Sequence, residues 1–482
     1  MSFIKQTSFR NWAGLLSGVI LFTLMIIFNP FQVDENASRT LAVATLMVTW
    51  WVTEALPMPA VALVPIIFFP LMGIASIKET TAGYGDSIIF LFLGGFMIGL
   101  AIEKWNLHKR IALTIVNLMG TSGDRIILGF ILATGVLSMW LSNTATTMMM
   151  FPIAVSVIHV VKENRSGHGN IGNFSLVIML SIAYASNFGG IATIIGTPPN
   201  VAFAGYIKDK YDYVIQFSDW MLLCTPIALL LLFSLYIVTT KIMYPNRIKS
   251  DSIVKQLIYA ELKNLGPMSV SEKRVLVIFI ATASLWITKD LINATGFIRL
   301  DDTIIALIGA LALFICPSGN RDTSNRILEW NDTSKMAWGI LLLFGGGIAL
   351  AGALERAGLI ESLGKWIAGA AGSDIFLLVL AITIVAMFTS ELMSNIAQVI
   401  VFAPVVGGIS DAMGLSPLLL GIPMTLAASC ASMMPMGTPP NAIVFASGHI
   451  KLHHMVKTGL VMNIIAVILI TLFSWIVIPL LF

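Results

Sequence analysis

Apolar runs separated by short polar turns dominate this chain, and their lengths set the first expectations. A helix crossing a bilayer core needs about 20 apolar residues. Runs near that size fall at 13–30, 39–56, 59–76, 88–103, 217–240, 275–293, 303–316, 338–354 and 458–481. Four others are longer, at 126–160, 174–207, 375–409 and 415–447. The pattern predicts an all-α polytopic membrane protein.

The long runs carry matching polar breaks. Ser142-Asn143 lies near the middle of 126–160, and Ser394-Asn395 near the middle of 375–409. Both runs exceed one crossing, so each is expected to enter and leave on one side as a re-entrant hairpin, with its turn covered by protein or water. The other two runs share the pentapeptide Gly-Thr-Pro-Pro-Asn, at 196–200 and 437–441. Proline lacks the N–H and clashes with the preceding turn, so these helices must unwind near Gly196 and Gly437. Unwinding exposes carbonyls on one side and a positive helix N-terminus on the other.

The two halves repeat one another. Gly94-Gly95 with Glu103 matches Gly346-Gly347 with Glu355, at the offset that also separates Asn143 from Asn395. The pairs Asn200/Asn441, and Trp51-x-Thr53 with Trp286-x-Thr288, show shorter offsets, so loop lengths have drifted. The expected organisation is an N-terminal helix (1–36), a first repeat (37–240), a cytoplasmic linker (241–274) and a second repeat (275–482). Cationic residues are expected on the cytoplasmic side. Lys104, Lys109, Arg110, Arg125, Lys162, Arg165 and the loop with Lys241, Arg247, Lys249, Lys255, Lys263, Lys273 and Arg274 (against Asp251, Glu261 and Glu272) fit that side; Asp34 and Glu35 fall outside. About eleven crossings plus two hairpins then put the N-terminus in the cytoplasm and the C-terminus outside it. Five crossings and a hairpin per repeat invert the second copy, as in secondary transporters.

Composition narrows the class further. Hydrophobic residues make up 57% of the 482, charged residues 11%, and mean hydropathy is +0.90. Soluble proteins carry about 25% charged residues. A net charge of +3, with no basic run interleaved with aromatics, gives no reason to expect a nucleic-acid partner. Cys224, Cys316 and Cys430 lack pair spacing and read as structural thiols. Lys5 and Arg10 before the apolar stretch 13–28 mimic a secretory signal, but the stretch is long and many spans follow, so it reads as the first helix. The histidines His108, His159, His168, His449, His453 and His454 map to loops or helix ends, and no catalytic set or nucleotide-binding motif is present. The chain is not expected to be an enzyme.

What remains polar at depth is uncharged. No charged residue occurs in 126–158 or 174–207, and only Glu391 and Asp411 occur in 375–447. Ser138 stands one turn before Ser142-Asn143-Thr144, and Ser390 stands likewise before Ser394-Asn395. An anion bound there meets no Lys or Arg, so helix dipoles, neutral donors and co-bound cations must offset its charge. Glu391, beside the second tip, is either functional or a partner for local backbone N–H groups. Glu54 reads as part of a turn.

At these residues the chain resembles the divalent anion/sodium symporter (DASS) family of di- and tricarboxylate transporters. The resemblance rests on Thr53-Glu54-Ala55-Leu56-Pro57, Ser142 to Thr146, Gly196 to Asn200 and Met434 to Ile443. It implies a homodimer in the bacterial inner membrane, with a transport domain moving like an elevator against a scaffold. It also implies at least two sodium sites, one at Ser138, Ser142, Asn143 and Gly196, the other at Ser390, Met393, Asn395 and Gly437. Substrate carboxylates are expected against Asn143, Thr144, Thr197, Asn395 and Thr438. One departure is Ile396, where the family pattern often has threonine; a carboxylate contact is lost or replaced there.

The expected activity is sodium-coupled symport of a C4-dicarboxylate such as succinate, malate or fumarate. A sodium-independent exchanger, or citrate or sulfate as substrate, is the alternative within the class. A passive anion channel and an intramembrane hydrolase are the alternatives outside it.

Overall fold

Prolines and glycines punctuate the helices where the backbone must bend. The computed structural model describes residues 2–163, 170–248, 252–296, 298–320, 324–371 and 374–481. Arg165, His168, Lys249 and Asp251 lie outside the described residues, as do the side chains of Lys5, Arg10 and Lys255.

The first half opens with α1 (Ser2–Phe28), α2 (Glu35–Val52), α3 (Met58–Val61), α4 (Val64–Leu71), α5 (Ile77–Ala82) and α6 (Ser87–Lys104). It continues with α7 (Leu107–Met119), α8 (Gly123–Ser138), α9 (Asn143–Glu163), α10 (Ile171–Gly190), α11 (Pro198–Tyr211) and α12 (Phe217–Ile237). Next come α13 (Ser252–Asn264), α14 (Val270–Asn293), α15 (Asp302–Ile315) and a short antiparallel pair, β1 (Pro317–Asn320) with β2 (Ser324–Arg326). The second half runs α16 (Trp338–Arg356), α17 (Leu359–Ala371), α18 (Ile375–Ser390), α19 (Asn395–Met413), α20 (Pro417–Ser429), α21 (Pro439–Phe445) and α22 (Leu452–Leu481). The order from α6 to α12 recurs from α16 to α22: a long helix, a 13-residue helix, two helices joined by a tight turn, a broken helix in two pieces and a closing helix.

Several elements differ from the sequence pattern. The run 59–76 is not one span: α3 and α4 are separate, with Pro65 in the first turn of α4 and turn backbone at Ala62-Leu63. The linker 241–274 is not merely a loop, because it contains α13. The helices α7 and α17 fall in stretches read as connections. At 13 residues each is about 20 Å long, too short to cross a core of about 30 Å. In α7, Ala112, Leu113 and Val116 are buried along one side while Leu118 is exposed. Among the described residues, eight helices are long and apolar enough to cross a membrane, and five shorter apolar helices accompany them.

The two broken helices form the innermost part of the protein. Every residue of α10 from Phe174 to Gly190 is buried, as is every residue of α20 from Leu418 to Ser429. A helix that is apolar and buried all round is surrounded by other helices. Beyond each break the chain joins the other half: α11 packs against α19 and α20, and α21 packs against α9 and α10.

Charged contacts sit toward helix ends. Lys208 Nζ lies 3.1 Å from Asp86 Oδ2 at the start of α6, and Lys210 Nζ lies 2.8 Å from Asp411 Oδ2 near the end of α19. Arg110 of α7 reaches both carboxylate oxygens of Glu272 at the start of α14. Lys289 is 2% exposed and pairs with Asp302 Oδ1 at 2.6 Å, while Asp302 Oδ2 accepts from the Phe217 backbone N–H. Phe217 in turn stacks on Trp286, with ring centroids 4.4 Å apart.

Candidate ligand site

The first hairpin turns between Met139 and Ser142, and its tip is held by side-chain oxygen. Ser138 Oγ donates to Asn143 Oδ1 at 2.7 Å, and Ser142 Oγ accepts from the Ala145 backbone N–H at 3.3 Å, capping α9. This tip rests on the broken helix. A Cβ on Gly190 would lie 2.3 Å from Asn143 Oδ1, so only glycine allows this approach. A Cβ on Gly196 would lie 2.4 Å from the Gly190 carbonyl oxygen and 3.0 Å from that of Ser138. The structure thus brings together Ser138, Asn143, Gly190 and Gly196, four residues contributing only neutral oxygen.

The backbone between α10 and α11 is unwound over 191–197, as the double proline requires. Asn200 braces this stretch: its Nδ2 donates to Thr193 O at 2.8 Å and to Gly190 O at 3.3 Å. Its Oδ1 is buried and has no partner. Thr197, 1% exposed, is the N-cap residue of α11 and does not cap with its side chain.

The second hairpin is braced differently. Ser390 Oγ donates to Ala428 O at 2.6 Å, tying the end of α18 to α20. Glu391, 4% exposed, binds the unwound stretch 430–438: Oε1 accepts from the Ser432 and Met433 backbone N–H groups at 2.8 Å, and Oε2 from that of Met434 at 2.9 Å. Asn463 of α22 donates its Nδ2 to Oε1 at 2.7 Å. A buried carboxylate needs this many donors to be tolerated. Of the two roles open to Glu391 from sequence, the geometry shows the partner for local backbone N–H groups. Its first-half counterpart by offset is Met139, whose carbonyl accepts from Thr193 Oγ1.

Gly437 lies near this brace. A Cβ there would be 3.0 Å from Glu391 Oε2, 3.4 Å from Met434 O and 3.5 Å from Ser390 O. Ser390 and Gly437 are therefore neighbours, and the carbonyl nearest Gly437 from the hairpin is that of Ser390; Met393 is half-buried. Asn441 mirrors Asn200, donating to Met434 O at 3.1 Å with its own buried Oδ1 unpartnered. Asn395 and Ile396, both half-buried, open α19, while Thr144 is half-buried in the first turn of α9.

The two clusters are linked. Asn187, fully buried on α10 one turn before Gly190, donates its Nδ2 to Thr438 Oγ1 at 3.1 Å. Thr438 is the N-cap of α21, and its Oγ1 faces the Asn441 backbone N–H. Sequence alone did not single out Asn187: it shares a buried stretch with Ser175, Ser181 and Ser186, and its partner lies in the other half.

Hydroxyl, amide and carbonyl oxygens are the donors that hard cations take. Among the described residues no group of three or more His, Cys, Asp or Glu side chains could hold a metal ion. The orphaned oxygens of Asn200 and Asn441 and the carbonyls facing Gly196 fit a small hard cation better than a soft one.

Broken helices crossing between two like halves, around buried neutral oxygen, define a polytopic helical protein of the secondary-transporter class. The family model described as the sodium:sulfate symporter transmembrane region matches residues 9–481, and the chain belongs to this family of transporters, the grouping its motifs resemble. It is 38% identical over 481 residues to the sodium-dependent dicarboxylate transporter SdcS of Staphylococcus saprophyticus, covering 98% of this chain and 93% of that protein. The SdcS protein of Staphylococcus aureus (strain USA300) is likewise 38% identical over 483 residues, covering 98% and 92%. Among solved structures, the Alcanivorax borkumensis YdaH transporter matches with a TM-score of 0.58 at 13% identity, covering 84% of this chain and 87% of that one, a likeness of fold.

Proposed function

We propose that this chain is a sodium-coupled symporter of C4-dicarboxylates such as succinate, malate and fumarate. The observation that carries the reading is the pair of oxygen clusters at Gly196 and Gly437, each built from a hairpin end and a broken helix, the first all neutral and the second beside the hydrogen-bonded Glu391 carboxylate. One sodium ion binds at Ser138, Ser142, Asn143 and Gly196, the other at Ser390, Met393, Asn395 and Gly437. The substrate carboxylates lie against Asn143, Thr144, Thr197, Asn395 and Thr438. With Ser138 donating to Asn143 Oδ1, the Asn143 Nδ2 is left to donate to a carboxylate. The glutamate nearest the site accepts from four N–H donors, whose dipoles offset part of its negative charge. Positive charge comes from the ions and from the N-termini of α9, α11 and α19. Naming of the relatives as sodium-dependent dicarboxylate transporters supports both halves of the reading.

The accompanying motion is an elevator step. The bundle α8–α12 with α18–α22 carries the site, and the remaining helices serve as scaffold in a homodimer of the bacterial inner membrane. The repeats 37–240 and 275–482 are inverted, with about eleven crossings, the N-terminus in the cytoplasm and the C-terminus outside. Recurrence of the α6–α12 order in α16–α22 supports the repeat.

Thermal unfolding tests the ligand assignment, since a ligand that binds the native state raises Tm by mass action. Succinate is expected to raise Tm in sodium chloride and not in choline chloride. Equal shifts in both salts favour an exchanger; a larger shift with sulfate or citrate moves the substrate to that anion.

A further inference from the structure

We infer that Asn187 is the positioning residue through which cation binding in the first half is transmitted to substrate binding in the second. The inference rests on the symport reading and adds a residue that neither duplicated motif contains. The side chain is fully buried, and its two polar atoms behave differently: Nδ2 donates across to Thr438 Oγ1, while Oδ1 has no partner. An unpartnered amide oxygen in a buried interior is costly, and such atoms are retained where a ligand or a function answers for them.

Its position makes it a bridge. One turn further along α10, Gly190 is in contact with Asn143, so a cation that tightens Ser138, Asn143 and Gly196 also fixes the end of α10. At the other end of the hydrogen bond, Thr438 follows Gly437 directly and caps α21. Ordering α10 therefore orders Thr438, and the reverse holds with equal strength, because coupling between two binding events is reciprocal. The bond spans 251 residues of sequence and joins the broken helix of one half to the pentapeptide of the other. The second half has no counterpart: the residue as far before Gly437 as Asn187 is before Gly196 is Ala428.

The test measures succinate affinity of the purified full chain at low and high sodium, in wild type, Asn187→Ala, Thr438→Val and the double variant. In wild type sodium tightens succinate. In Asn187→Ala that tightening factor falls at least fivefold, while the Tm rise caused by sodium alone stays within the wild-type range; a residue that merely packs would not separate the two readouts. Thr438→Val removes the same bond from the other side and gives the same loss, and the double variant loses no more than either single one. A tightening factor unchanged in Asn187→Ala, or additive losses in the double variant, overturns the assignment. If wild-type succinate affinity is itself indifferent to sodium, the symport reading fails, an outcome distinct from failure of Asn187.

Discussion

The Ser138 hydroxyl donates to Asn143 Oδ1 over 2.7 Å and so fixes which face of the Asn143 amide points onward. Both residues are buried, Ser138 fully, so the pair is set by the fold before any ligand arrives. A site with its ligands already in place loses less freedom on binding than one that must assemble.

Asn143→Ala removes the amide and leaves the hairpin. The lost hydrogen bond costs about 1 kcal/mol of stability. Removing a cation ligand worth about 1.4 kcal/mol or more lowers sodium affinity about tenfold or beyond. The expected result is a folded protein whose sodium-dependent Tm rise and uptake are lost; uptake at the wild-type level would remove Asn143 from the site.

Gly190→Ala tests the contact between hairpin and broken helix. The new Cβ would fall 2.3 Å from Asn143 Oδ1 and 3.0 Å from its Cγ, so the tip must move away. Overpacking of this kind costs about 1–3 kcal/mol. Uptake is expected to fall further than stability does, read by transport assay beside thermal unfolding. A variant that transports normally would show that the tip moves without consequence.

Glu391→Gln tests the brace of the second break. The carboxylate accepts three backbone N–H groups and one side-chain amide. A glutamine must turn an NH2 toward some of those donors, and each buried group left unsatisfied costs about 1–3 kcal/mol. Tm measured without ligand is expected to drop clearly. An unchanged Tm would mean that the 432–434 backbone does not depend on this carboxylate.

Ile396→Thr restores a hydroxyl at the second tip beside Asn395. If that position faces the substrate, one added hydrogen bond worth about 1 kcal/mol tightens succinate about fivefold. Competition binding measures it, and an unaltered affinity would place residue 396 away from the carboxylates.

The breaks in the two central helices were legible because the cause is local: a double proline fixes where a helical ladder ends, and the unwound stretches 191–197 and 430–438 follow from it. The short helices α7 and α17 were not. They are short and interrupted by polar residues, so uniformly apolar runs do not mark them, although His108, Ala112 and Val116 of α7 are buried at helical spacing. The division of 59–76 had a visible signal in Pro57, Pro59, Pro65 and Pro70, outweighed by its overall apolarity. At the site, the duplicated motifs marked the oxygen-bearing residues, yet the bonds that organise them join distant positions. Glu391 with Asn463, and Asn187 with Thr438, are tertiary pairings that no local pattern encodes.

Uptake of labelled succinate into proteoliposomes, with external sodium or with choline in its place, measures the dependence of anion transport on a co-bound cation. The account predicts concentrative uptake driven by an inward sodium gradient and abolished in choline. Concentrative uptake of equal rate in choline would contradict it, because the charge of the bound dianion would then be offset without the sodium ions proposed at the two clusters.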